Sequence, residues 1–311
     1  MSLPAAALGV IIIWSTTPLG IQWSSIDHGY LFGLTARMLI GMVTGVIVAR
    51  LLRIPLPLHR QALLTYVAAG LGLFCAMYMV YQAAGLIPSG WIAVLFGTAP
   101  VVTGVFAHYL LPGQALSMTR VLGMLLGLAG LALLLADAQG LGPGAVQGCI
   151  AMLASVTSYS ASAVLIQRIR AQIPALATTI GALSVASVLL VLAYLLSGTP
   201  LPRQIPLRAG LAIVYLGIVG SVLGFALYYH VLSQLDATRV ALITLVTPVL
   251  ALLLGQWLNH EPVPPRTWLS TAIILGGLVL FEYGHGLAGQ GARLRALQVR
   301  YRTQKNRAGP I

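Results

Sequence analysis

A chain of 311 residues that is 59% hydrophobic and only 7% charged has too little polar surface to cover itself in water; a soluble domain carries about a quarter charged residues. This excludes a water-soluble globular protein, and near-continuous apolar runs of ~20 residues predict spanning helices, not the alternating ten-residue strands of a barrel. The formal charge of +12 is not a nucleic-acid signature either, because Arg293, Arg295, Arg300, Arg302, Lys305 and Arg307 crowd the tail and most other basic residues punctuate short breaks, where they orient the chain and attract anionic lipid.

The opening segment, "MSLPAAALGVIIIWSTTPLG", has no basic leader and runs on through hydroxyl residues, so it reads as a retained first span over 4–22. Further spans are predicted over 31–52, 61–83, 88–111, 118–136, 144–167, 175–197, 207–232, 237–259 and 267–284. The breaks are rich in turn residues and charge, as in "RIPLPLHR" (53–60), "DAQGLGPG" (137–144) and "HEPVPPR" (260–266). With the amino terminus inside, thirteen basic residues fall inside and three (Arg203, Arg208, Arg266) outside, so both termini are expected in the cytoplasm of a bacterial inner membrane. Arg37 falls within the second span and is left out of that count. Cys75 and Cys149 lie in apolar segments and suggest neither a disulfide nor a metal site. No cofactor is expected.

Two prolines interrupt apolar runs 148 residues apart, Pro100 in "LFGTAPVVTGV" and Pro248 in "LITLVTPVLALLLGQ". The same shift pairs Tyr81 with Tyr229 and Ala93 with Ala241, and a Gly-containing span follows each proline. This is the mark of an internal repeat. Five spans per repeat reverse the chain direction, so the expected fold is all-α and polytopic: ten helices as two inverted five-helix repeats around a central cavity, the repeats covering 1–142 and 143–285, with a basic cytoplasmic tail over 286–311. Pro100 and Pro248, each near mid-span, are expected to bend facing helices that wall a pathway, because a kink in lipid must re-satisfy its freed carbonyl. Pro18 is expected to bend the first span.

The "W-S-T-T-P" of the first span, the "G-T-A-P-V" and "V-T-P-V-L" pair, and the "GMLLGLAG" helix together resemble the drug/metabolite transporter superfamily, and within it the EamA-type ten-helix exporters. The resemblance covers residues 4 to about 285 and is greatest to bacterial amino-acid exporters of the YddG kind. It implies export of aromatic and hydrophobic amino acids and related small metabolites by alternating access, with no catalysis. That subfamily tends to place an aromatic residue before the first proline, where this chain has Ala99.

Candidate substrate-binding residues are aromatic or hydroxyl-bearing and lie deep in spans. The first span offers Trp14, Ser15 and Thr17; the third offers Phe74, Tyr78, Tyr81 and Gln82 at helical spacing; the fourth offers Trp91 and Thr98; the sixth offers Ser155, Ser158 and Tyr159. Hydroxyls in lipid sit at helix contacts, line cavities or bond back within their own helix, and aromatic faces attract cations and stack on apolar rings. Trp23, Tyr30, Trp257 and Trp268 lie near span ends and read as interfacial residues.

Asp27, Asp137, Asp236, Glu261 and Glu282 all lie at or near span ends, so no carboxylate is placed to couple transport to protons or sodium. The only lysine is Lys305 in the tail, which leaves no nucleotide-binding lysine. Facilitated export is the simplest mechanism. "GMVTG" and "GMLLG" suit close internal helix packing, and a monomer suffices, with membrane lipid and a small amino-acid substrate as partners. Two alternatives stay open. One is export of another metabolite or drug class, for which a nucleotide sugar would want basic residues such as Arg37 or Arg239 along the path. The other is a lipid-modifying enzyme, for which "NHEP" (259–262) is the only dense polar cluster.

Overall fold

A computed structural model describes residues 2–25, 29–112, 117–138, 141–235 and 246–281. Asp27, Asp236, Arg239, Glu282 and the basic tail lie outside these residues. The described chain is helical throughout, in the order α1 (Leu3–Trp23), α2 (Tyr30–Leu51), α3 (Arg60–Ala84), α4 (Ser89–Phe96), α5 (Ala99–Leu110), α6 (Met118–Ala138), α7 (Ala145–Ile169), α8 (Ala175–Leu196), α9 (Leu207–Tyr215), α10 (Gly224–Leu232), α11 (Thr247–Asn259) and α12 (Pro265–Phe281). A π-helical segment, Leu216–Leu223, joins α9 to α10 within one 26-residue span. Eight helical stretches among the described residues are long and apolar enough to cross a membrane, and α12 is a shorter apolar helix. The protein is a multi-pass membrane protein.

The breaks follow from backbone chemistry. Proline and polar residues end the apolar runs, and where a helix must stop in a short connection the chain turns left-handed: Arg170 closes α7 with φ 54° and His260 closes α11 with φ 52°. Outward faces carry exposed leucines and isoleucines such as Leu8, Ile12, Leu125, Ile150 and Leu192, which suit acyl chains.

Packing inside the bundle relies on small residues that let backbones approach. A Cβ on Gly123 would stand 2.5 Å from both the Gly277 carbonyl oxygen and the Phe281 amide, so α6 and α12 meet backbone to backbone. Gly41 meets Gly217 and Ser221 in the same way. Both glycine pairs read in the sequence therefore serve contacts within the chain. The larger contacts are reciprocal: α3 packs on α7 while α1 packs on the α9–α10 span, and α2 packs on α8 while α4 packs on α11.

The two prolines occupy helix starts. α4 ends at Phe96, a turn at Gly97 and Thr98 follows, and Pro100 is the second residue of α5. There its missing N–H has no helical partner to lose. The turn satisfies its own carbonyls, with Gly97 N bonded to Ala93 O at 2.9 Å and Thr98 Oγ1 to Leu95 O at 2.7 Å. Pro248 is likewise the second residue of α11. The sequence reading of Pro100 as a mid-helix kink is thus replaced by a break between two short helices. Both prolines are buried, and the Pro248 ring lies against Gly97, whose Cβ would stand 3.3 Å from Pro248 Cγ.

Candidate functional site

At the centre of the bundle lies a cavity of about 70 Å³, lined by Trp14, Thr17, Pro18, Arg37, Phe96, Tyr159 and Phe225, with Met77, Val80 and Ile92 beneath them. Small-ligand sites usually span about 300–1,000 Å³. At about 70 Å³ this one is much smaller.

Aromatic rings close it. Trp14 lies 5.2 Å from Tyr228, 6.0 Å from Tyr159 and 6.2 Å from Phe96, centroid to centroid. Tyr159 lies 4.9 Å from Phe96 and 5.3 Å from Tyr228, which in turn lies 5.0 Å from Tyr229. Edge-on and tilted pairs of this kind contribute ~0.5–1.5 kcal/mol each beyond burial. Trp14 lies within continuous α1, one turn before Pro18: Pro18 cannot donate to the Trp14 carbonyl, and the hydroxyls of Thr16 and Thr17 both bond back to Ile13 O at 2.8 Å.

Past these rings the path widens toward one end of the molecule. A void of about 10 Å³ bounded by Tyr159, Phe225, Tyr228 and Tyr229 lies beside a vestibule of about 760 Å³, bordered by Thr65, Gln167, Arg170, Thr178, Tyr229 and Ser233. Tyr229 and Ile166 border both spaces.

At the other end a polar latch ties the helix ends together. Glu261 accepts from Ser89 Oγ at 2.9 Å, from Gly90 N at 3.3 Å and from Asn259 Nδ2 at 2.8 Å. Asn259 also donates to Gln22 Oε1 at 3.1 Å and accepts from Trp23 Nε1 at 3.1 Å, while Gln22 Nε2 reaches Ile87 O at 3.0 Å. The ends of α1 and α11 and the α3–α4 turn are thereby tied together. Arg208 stacks over Trp23, 4.1 Å from the ring. "NHEP", the dense cluster of the sequence, supplies this latch through Asn259 and Glu261. Trp23, read as interfacial, is part of it.

The predicted substrate residues divide. Trp14, Thr17, Pro18 and Tyr159 line the central cavity. Ser15 is buried, bonds back to Ile11 O at 2.7 Å and borders a groove shared with Trp257 and His260. Tyr78 and Gln82 turn toward α2, where Tyr30 Oη donates to Tyr78 Oη at 3.3 Å and accepts from Gln82 Nε2 at 3.2 Å, and Phe74 packs on Tyr78. Tyr81 is fully buried and accepts from Ser24 Oγ at 3.2 Å. Trp91 is buried in α4, and Thr98 caps its own turn. Ser158 bonds back to Ala154 O at 2.9 Å, and buried Ser155 lies outside the cavity wall. The wall of α3 is formed by Met77 and Val80 instead, the face beside the one read from the sequence.

Phe96, Phe225 and Tyr228 are residues that sequence reasoning left out, and Arg37 entered it only under the nucleotide-sugar alternative. Arg37 carried a usable signal, a charge eight residues into a span. Phe225 and Tyr228 sit in "GFALYYHVL", next to the tyrosine that pairs with Tyr81 in the internal repeat.

Comparison with known proteins agrees with this architecture. The sequence model of the EamA-like transporter family matches residues 3–136 and again 146–283. The chain is 29% identical over 198 residues to the uncharacterized inner membrane transporter YedA of Escherichia coli, covering 64% of this chain and 63% of YedA, a little under two thirds of that relative's length. It is 24% identical over 277 residues to the uncharacterized transporter YoaV of Bacillus subtilis, covering 88% and 94% of the two chains. A crystal structure of a protein 23% identical to it superposes with a TM-score of 0.68 over 91% of this chain and 98% of the other, a likeness of fold alone. With its sequence matched twice over nearly its whole apolar length, the chain belongs to the EamA-like transporter family.

Proposed function

We propose that this protein exports amino acids, aromatic and hydrophobic ones and related small metabolites, across a bacterial inner membrane by alternating access. The observation that carries the reading is the arrangement of one aromatic cavity between a polar latch and an open vestibule. The reciprocal helix contacts support two oppositely oriented five-helix halves, 1–142 and 143–285, that rock about the cavity. The vestibule end carries Arg50, Arg60 and Arg170, which by the positive-inside rule supports reading that end, and both termini with it, as cytoplasmic. The conformation is then inward-facing, with the central site collapsed.

The mechanism follows from those parts. Substrate enters the vestibule, displaces Tyr228 and Tyr229, and stacks against Trp14 and Tyr159. Closure of the vestibule and release of the latch would turn the same cavity outward. The tie of "NHEP" into that latch favours a gating role over lipid modification.

Purified protein in liposomes, assayed with a panel of labelled amino acids, tests the reading. Flux of aromatic and hydrophobic members is expected. Flux of an unrelated metabolite with none of the amino acids would overturn it.

A further inference from the structure

The cavity wall holds one charged group, and among the described residues that group has no counter-charge. Arg37 is 1% exposed. Its Nε donates to Ser221 Oγ at 3.0 Å, while its Nη1 is buried with no acceptor among the described residues. Both described carboxylates are occupied at helix ends: Asp137 pairs with Arg266 at 3.2 Å, and Glu261 belongs to the latch. Arginine keeps its charge in proteins, and an isolated charge in a water-excluded site is strongly unfavourable unless something pairs with it.

The backbone is shaped around this side chain. Ser221 and Gly220 lie on the π-helical segment, and a Cβ on Gly220 would stand 3.5 Å from Arg37 Nη2. Single π turns recur at functional sites because the extra residue re-aims its neighbours. Here the segment brings a hydroxyl to Nε, while Nη1 stays buried with no acceptor among the described residues, on a side chain that lines the cavity.

We infer that Arg37 binds the carboxylate of the substrate, and that the carboxylate rather than an amine is the group the cavity selects. This rests on the transporter reading above and narrows its substrate class to apolar or aromatic monocarboxylates, amino acids among them. A guanidinium fork matches a carboxylate geometrically. One arginine in a wall whose other groups are uncharged suits one negative charge rather than a doubly charged phosphate. An ammonium finds no carboxylate on this wall, only ring faces such as Trp14 and Tyr159 and the hydroxyls of Thr17 and Thr247.

Binding to the full-length protein in detergent, measured by titration calorimetry with L-phenylalanine, 3-phenylpropanoate and phenethylamine, separates these contributions without any mutation. The two carboxylates are expected to bind within about threefold of each other, and phenethylamine about thirtyfold more weakly, the range of a charged hydrogen bond. Arg37→Gln should lose carboxylate binding by a similar factor, Arg37→Lys by less, and Ser221→Ala should weaken it while keeping the charge. Phenethylamine binding as tightly as 3-phenylpropanoate, or Arg37→Gln retaining wild-type affinity, would overturn the assignment, as would no binding by either carboxylate. The two readings fail separately: 3-phenylpropanoate bound through Arg37 without any amino-acid flux leaves the assignment standing, whereas amino-acid flux indifferent to Arg37→Gln leaves only the transporter.

Discussion

Ser89 Oγ donates to Glu261 Oε2 at 2.9 Å, joining the first residue of α4 to the connection after α11 and so spanning the proposed boundary between halves. Hydrogen bonds to a charged group contribute ~1.5–3 kcal/mol when buried, and this one is only partly buried, so the lower figure applies. We predict that Glu261→Ala opens the latch. With Cys75 and Cys149 replaced and a reporter cysteine at Thr17, labelling by an impermeant maleimide from the Asn259 side should quicken about tenfold. An unchanged rate would remove the latch.

Gly255 permits that contact. A Cβ there would stand 2.6 Å from Glu261 Oε2 and 2.9 Å from Ser89 Oγ. Gly255→Ala is expected to displace the carboxylate and reproduce the labelling phenotype with every latch group still present. Protection equal to wild type would show that the side chains yield without opening.

Trp14 touches Phe96, Tyr159, Phe225 and Tyr228. Truncation to Ala removes several ring contacts worth ~0.5–1.5 kcal/mol each, so transport of labelled L-phenylalanine should fall about tenfold or more. Membrane insertion, followed by protease protection, should be normal. Wild-type flux in Trp14→Ala would show that the cavity is not on the route.

Because Pro100 lies in the first turn of α5, Pro100→Ala should change thermal stability by less than about 1 kcal/mol, in contrast to the ~3 kcal/mol of a proline in a helix interior. Gly123→Ala should do the opposite. Its Cβ would meet Gly277 and Phe281 backbone atoms at 2.5 Å, and overpacking costs about 1–3 kcal/mol, read as a lower Tm in detergent.

The limits of the sequence reading are physical. Helix extents were legible because length in apolar residues and the chemistry of the breaks are one-dimensional signals, as at Leu3–Trp23 and Leu207–Leu232. Trp14, Thr17 and Tyr159 were legible as bulky or polar groups far from any span end. Tyr78 and Gln82 show what periodicity leaves open: it says which residues share a face, but not which neighbour that face meets, and here the neighbour is Tyr30 on α2. The latch was illegible because its partners are 172 and 237 residues apart in the chain. Arg37 was visible as an intramembrane charge, but only the folded bundle shows that its Nη1 has no acceptor among the described residues.

The central claim is that the cavity changes sides by parting α4 from α11 at the latch. Cysteines at Ser89 and Gly255 would sit close enough for a disulfide, since a Cβ on Gly255 lies 2.9 Å from Ser89 Oγ. In liposomes containing Ser89→Cys/Gly255→Cys protein, oxidation should cut amino-acid flux to below about a tenth, the effect of holding one conformation by some 1.4 kcal/mol or more, and reduction should restore it. Undiminished flux through fully bridged protein would contradict the account.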